Sequence, residues 1–311
     1  MRAWGVMVGA ALWMAWVSST ALAQTAAPAT EQATAARVNA ARFDLGLQAR
    51  ELAPGVFVVE GANADFNPAN GCNIINTGFI VTGAGVLVIN TGASRRHGEQ
   101  LRALIARTTA EPVVKVLHLN LHPDYFLGNQ AFADVPRAAT AATAAGMAGE
   151  AASYASNLYR LCGDWMTGTE PLLPDVPVAA GPLRIGTREF ELLELAGHTA
   201  SDLVLIDRQS GVAFVGGLVF AQRIPTTPHA QLDAWLASLD AVSALASRGV
   251  RQIVPSHGPI APGVDGIAQT RAYLHWLDMS FSSAAQRGWE MSEVLALPVP
   301  AEFRGWAAFT T

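Results

Sequence analysis

The sequence predicts an α/β sandwich (α+β sandwich): two mixed β-sheets lie face to face, with helices on their outer sides. Three observations carry that expectation. Short β-rich runs fall in two blocks, each block closes with a strand, a helix and a further strand, and no linker divides them. With 51% hydrophobic and 14% charged residues among 311, the composition suits one well-buried core.

Residues 1–23 read as a signal peptide. Arg2 precedes the apolar stretch Ala3 to Val17, and Ala21-Leu22-Ala23 offers small residues for cleavage. The stretch is short for a membrane span, which needs about 20 apolar residues, so an uncleaved anchor is the lesser alternative. The expected location is periplasmic or secreted, with no membrane association after cleavage. Residues 24–40, rich in Ala and Thr, have nothing bulky to bury and form a tether. The folded domain is placed at 41–285, followed by a C-terminal extension at 286–311 that docks on it through Trp289, Phe303 and Trp306.

Within the domain, Val56 to Glu60, Ile74 to Val81 and Val86 to Asn90 are strands, the last two joined at Gly83-Ala84-Gly85. Leu101, Leu104 and Ile105 give helical spacing to Arg95–Thr108, and the apolar run Val113 to Leu119 follows as a strand. The Ala-rich stretch Arg137 to Tyr159 has helical propensity and is read as a helix pair. Phe190 to Leu195, Leu203 to Asp207 and Val212 to Val215 make a second meander. An amphipathic helix from Leu232 to Ala246 and the strand Gln252 to Pro255 complete it.

A net charge of -5, with no run of Lys or Arg, leaves no electrostatic footprint for nucleic acid or anionic lipid, so the expected partner is a small molecule. There is no Gly-x-Ser-x-Gly elbow, and no Gly-x-Gly-x-x-Gly or Walker pattern follows a strand. Cys72 and Cys162 are the two cysteines. They form either a disulfide, as an oxidising compartment permits, or two buried small apolar side chains.

The histidines cluster in segments that follow strands, where a rigid sheet presents chemistry. His118, Asn120, His122, Asp124 and Tyr125 lie in one such segment; Ala196-Gly197-His198-Thr199, Phe214-Val215-Gly216-Gly217 and Pro255-Ser256-His257-Gly258 follow in order. The first segment resembles the H-x-H-x-D-H signature of the metallo-β-lactamase superfamily, and the other three match its landmarks at similar spacing. The resemblance implies the αββα arrangement of that family and a metal site between its sheets. The stretches 163–166 and 223–229 more narrowly resemble exported quinoprotein relay system zinc metallohydrolases, which implies a periplasmic quinoprotein system as a partner.

Carried over residue by residue, the resemblance puts the first metal's ligands at Asn120, His122 and His198. It puts the second metal's at Asp124, Tyr125 and His257, with Gly217 at the bridging aspartate and Asn90 at the aspartate that braces the cluster. Asn120, Tyr125 and Gly217 are not the usual ligands. The expectation is therefore one ion, zinc with iron as an alternative, held by His122, Asp124, His198 and His257. Asp124 would act as ligand or general base, and Tyr125 would hydrogen-bond a developing oxyanion. The function implied is an exported metal-dependent hydrolase; the alternative is a binding protein on the same fold that has lost metal and catalysis.

The remaining histidines divide by context. Lying deeper in its strand, His118 is expected to be buried and hydrogen-bonded. His229 either contacts substrate or caps the helix near Leu232. His97 and His275 are expected on helix surfaces.

Overall fold

The computed structural model describes residues 42–309 apart from 262 and 264. The expected signal peptide and tether lie outside the described residues. One sheet holds β1 (Arg50–Ala53), β2 (Val56–Val59), β3 (Thr77–Val81), β4 (Val86–Ile89), β5 (Val113–Leu117), β6 (Arg137–Ala139) and β7 (Val176–Pro177), in that order. The other runs β12-β11-β10-β9-β8, built from β8 (Gly181–Ile185), β9 (Arg188–Leu195), β10 (Asp202–Asp207), β11 (Val212–Phe220) and β12 (Gln252–His257). Helices α1 (Arg95–Thr108), α2 (Pro123–Phe126), α3 (Ala141–Cys162), α4 (Leu232–Ser243), α5 (Asp265–Arg287) and α6 (Met291–Leu295) connect or follow the strands. Among the described residues, no helix is long and apolar enough to cross a membrane.

Alternation along the strands creates the layers. On β4, Leu87 and Ile89 enter the core between the sheets, while Val86 and Val88 meet Leu101, Leu104 and Ile105 of α1. On β10, Leu203 and Leu205 face the same inner core, and Val204 and Ile206 pack on the other side with Trp235, Leu239 and Leu274. Both strands are buried throughout, because each is covered on both faces. The expected αββα sandwich is the observed one.

Local differences have local causes. The stretch read as a helix pair is the short strand β6 followed by the single helix α3, capped by the Thr140 hydroxyl on the Thr143 N–H. Pairing with β5 and β7 draws Arg137–Ala139 into the sheet, overriding alanine's helical preference. The C-terminal boundary at 285 falls inside α5. Beyond it, Phe303 stacks near Tyr273 at 5.2 Å and Trp306 at 4.9 Å, and Ala307 exchanges backbone hydrogen bonds with the chain at Gln222 and Ile224.

His97 is not a surface residue. The N-terminus of α1, capped by Ser94, turns it inward, where its ring is fully buried and neither nitrogen has a hydrogen-bond partner. Burial lowers its pKa from 6.5 to about 4. The depressed value means that the folded state holds fewer protons here, so the stabilisation is complete above pH 6.5 and is lost as pH falls towards 4. His97 alone should contribute on the order of 3 kcal/mol of acid destabilisation over that window. Urea denaturation at stepped pH would measure it; a His97→Gln variant with the same slope as wild type would show that another group is responsible.

Candidate functional site

After β5 the chain leaves the sheet at Leu117 and turns through His118 to His122 into α2. His118 has Nδ1 at 3.0 Å from the Tyr125 carbonyl oxygen, and it is buried as expected. Asn90, at the end of β4, holds the turn: its Oδ1 accepts the Leu119 N–H at 3.1 Å. Its backbone is left-handed, with φ of 59°, a conformation that asparagine tolerates better than most residues. Asn120 is committed to structure as well. Its Oδ1 accepts the His122 N–H at 3.0 Å, and its Nδ2 lies 3.4 Å from Asp202 Oδ1.

His198 sits in the turn between β9 and β10, fully buried against Trp235 and Phe220. Its Nδ1 is 3.1 Å from Asp202 Oδ1, and the second oxygen of that carboxylate accepts the Thr199 N–H at 2.7 Å. Asn120 Nδ2 also approaches Nδ1, at 3.2 Å, and a proton on Nδ1 donated to the carboxylate would leave Nε2 as a lone pair. His257, ending β12, is set similarly: Nδ1 donates to the Ile74 carbonyl at 2.8 Å, and Nε2 lies 3.4 Å from Asp124 Oδ2. His122 is the residue before α2 and makes no side-chain cap bond, so its ring is available to the site.

The buried atoms here that lack a hydrogen-bond partner include His122 Nε2, His198 Nε2 and Asp124 Oδ2, together with the Tyr125 hydroxyl and Arg223 Nε. The rings of His122 and His198 meet at 4.6 Å and 85°. The strand-end turns place the four donors expected from the sequence as two pairs, His122/His198 and Asp124/His257. Among the described residues, no three His, Cys, Asp or Glu side chains are already gathered as a metal-holding group.

Burial sets the charges. It drives the His122 pKa well below the usual imidazole value, with neighbouring His198, His229 and His257 adding to the shift. His257 is lowered mainly by burial and then by the Arg223 cation. Both rings are neutral and so keep a lone pair. Asp124 is raised from 3.8 to about 6 by burial, against the opposing pull of its own helix N–H and Arg223.

A cavity of about 190 Å³ opens onto His122, Asp124 and His257, with Tyr154 and Arg223 in its walls. Arg223 is itself 1% exposed and pairs with Asp65 at 2.7 Å. Tyr125 does not line this cavity. One residue along a helix turns the side chain by about 100°, so with Asp124 facing the cavity Tyr125 enters the inner core, where burial raises its phenol well above the usual range. Its hydroxyl is buried without a hydrogen-bond partner, near Ser256 and Asn120.

Gly217 has a definite reason to be glycine. A Cβ there would overlap the His198 ring and the Asn120 amide. The preceding Gly216 bends β11 with φ of 54°, and the pairing of β11 with β12 shifts register on both sides of it. His229 does not cap α4, whose first turn is preceded by Gln231 with no side-chain cap. Instead its Nε2 lies 3.1 Å from the Tyr154 hydroxyl, and its ring lies 5.4 Å from that of His122.

Sequence reasoning missed Asp202 and Tyr154. The signal for Asp202 was its place four residues after His198. Tyr154 is the first aromatic residue in an alanine-rich helix and carried none.

The fold is similar to a metallo-β-lactamase from Pontibacter korlensis, with TM-score 0.60 and 22% identity over 74% of this chain and 99% of that one. It is similar to metallo-β-lactamase IND-7, at TM-score 0.60 and 20% identity over 74% of this chain and 98% of the other. A mono-zinc form of the metallo-β-lactamase FIM-1 from Pseudomonas aeruginosa gives TM-score 0.58 and 17% identity over 74% and 96% of the two chains. A comparison with curated proteins finds no match. The family model described as the metallo-β-lactamase superfamily matches residues 70–257, a span that contains every donor described above, and the chain belongs to that superfamily.

Proposed function

We propose that the protein is an exported metal-dependent hydrolase whose site takes one ion, zinc or iron, on His122, Asp124, His198 and His257. The observation that carries this reading is the set of buried, unpartnered atoms: His122 Nε2, His198 Nε2 and Asp124 Oδ2. Imidazoles oriented through Nδ1, one by Asp202 and one by a backbone carbonyl, have the chemistry of metal ligands. Gly217 supports one ion over two, because it supplies no bridging carboxylate and His198 and Asn120 fill the space that a side chain there would need.

A bound ion would acidify water and polarise a carbonyl or related electrophile. The chain's own groups do the rest. Asp124 would serve as ligand or, where its carboxylate is not bound to the ion, as general base, with His257 Nε2 3.4 Å away. Asp202 holds His198 in one tautomer, and the cavity walls limit access of bulk water. Export is supported by the Cys72–Cys162 disulfide, which needs an oxidising compartment. A periplasmic quinoprotein partner rests on the resemblance of stretches 163–166 and 223–229.

Zinc loading tests the reading. About one equivalent should bind, and His122→Ala and His257→Ala should each abolish it. Less than about a tenth of an equivalent in the wild type would favour the second reading, a binding protein without metal. That reading draws on the absence of a gathered three-donor group among the described residues.

A further inference from the structure

The phenol in the wall of the cavity that opens onto His122, Asp124 and His257 comes from α3. Asn157 and Leu158, which follow Tyr154 at helical spacing, line the cavity with it, so one face of the helix forms that wall. We propose that the Tyr154 hydroxyl donates a hydrogen bond to the substrate oxygen that gains negative charge during hydrolysis, and that His229 positions it. This deepens the hydrolase reading above and rests on it.

The helix holds Tyr154 rigidly. Leu158 packs in a core cluster with Phe126, Met147 and Trp165. At the helix end, the Cys72–Cys162 disulfide and a 2.9 Å hydrogen bond from Trp165 Nε1 to the Pro68 carbonyl tie it to the segment before β3. The Tyr154 ring therefore stands at a fixed place beside the site, 6.5 Å from the ring of His122 and at 90° to it. Asp124 is close enough for its charge to act on the phenol.

Among the described residues, the hydrogen-bond partner of the Tyr154 hydroxyl is His229, with Nε2 at 3.1 Å. A phenol carries one O–H and accepts through the same oxygen. With the His229 proton on Nε2, the imidazole donates to the Tyr154 oxygen and leaves the O–H for an acceptor in the cavity. The incoming hydrogen bond also makes that O–H a stronger donor. Burial, then the Glu150 and Asp124 carboxylates, raise the phenol pKa, so it keeps its proton. When water adds to a carbonyl carbon, the C=O π pair becomes a lone pair on oxygen and the water proton goes to the Asp124 carboxylate. The Tyr154 proton stays on the phenol, and its hydrogen bond strengthens as the oxyanion forms. The substrate class that supplies such an oxygen is an acyl compound, an ester or an amide.

The test uses the whole zinc-treated protein labelled with 3-fluorotyrosine, phenylphosphonate as a stable tetrahedral oxyanion, and 4-nitrophenyl acetate as substrate. The sequence has four tyrosines, so the fluorine resonance missing from Tyr154→Phe identifies residue 154. Phenylphosphonate should move that resonance, and Tyr154→Phe should bind it at least about tenfold more weakly. The same variant should lower kcat about 10- to 100-fold with KM within about twofold, because the bond tightens only in the transition state. His229→Ala should reproduce part of that loss, and His229→Gln, whose side-chain amide N–H replaces the Nε2–H, should recover it. Both side chains are part-exposed, so circular dichroism should stay as in the wild type. Ester turnover by the wild type with an unmoved resonance, or with wild-type kcat in Tyr154→Phe, would overturn the role of Tyr154 and leave the hydrolase reading intact. Phenylphosphonate binding that depends on Tyr154 without ester turnover would keep Tyr154 as an oxyanion-binding residue and overturn the hydrolase reading. Neither binding nor turnover would overturn both.

Discussion

Gly217→Asp, the change that puts back the carboxylate implied by family resemblance, should damage the site rather than restore a second metal. The new Cβ overlaps His198 and Asn120, and the new carboxylate would be buried beside Asp202. Overpacking together with a second like charge should cost roughly 3–5 kcal/mol, a drop in melting temperature of about 6–15 °C for a domain of this size. Zinc uptake should fall as well, because His198 is displaced. The double variant Gly217→Asp/His198→Ala makes the cause testable: it should be more stable than the sum of the single changes predicts. Simple additivity would mean that His198 and residue 217 do not compete for space.

Removing the Cys72–Cys162 disulfide should have a comparable effect on stability. The bond joins positions 90 residues apart with Cα atoms at 6.0 Å, and a loop of that length restricts the unfolded chain by on the order of 4 kcal/mol. Cys72→Ser/Cys162→Ser should therefore shift the urea midpoint strongly downward and raise the slope, because the unfolded chain exposes more surface without the cross-link. An unshifted midpoint under oxidising conditions would show that the bond contributes nothing to the folded balance. The bond also joins the segment before β3 to the end of α3. Phe66 and Leu158, from those two regions, line the same cavity, so ligand access is expected to change together with stability.

The sandwich was legible because its signals are local and repeated. The Leu101, Leu104, Ile105 spacing gave α1 its observed limits, and the apolar runs around Val86 and Leu203 gave strands. Edge strands were harder. Arg50–Ala53, Val176–Pro177 and Gly181–Ile185 are short or partly exposed and owe their conformation to a neighbouring strand. In the site, the donor histidines were legible from their motifs. The groups that orient them were not: whether Asp202 reaches His198, or Tyr154 reaches His229, depends on how a turn and a loop close in space. His97 misled for a related reason, since a polar residue at the first turn of a helix reads as exposed until the helix is seen to bury that end.

The bend at Gly216 and Gly217 also bears on descent. The imidazole at 198 occupies the room left by the absent side chain at 217, and Asp202 holds it there. None of these three positions can change freely while the other two stay. Because the family pattern pairs histidine at 198 with aspartate at 217, a lineage that regains aspartate at 217 should seat the 198 imidazole elsewhere and lose its present contact with Asp202.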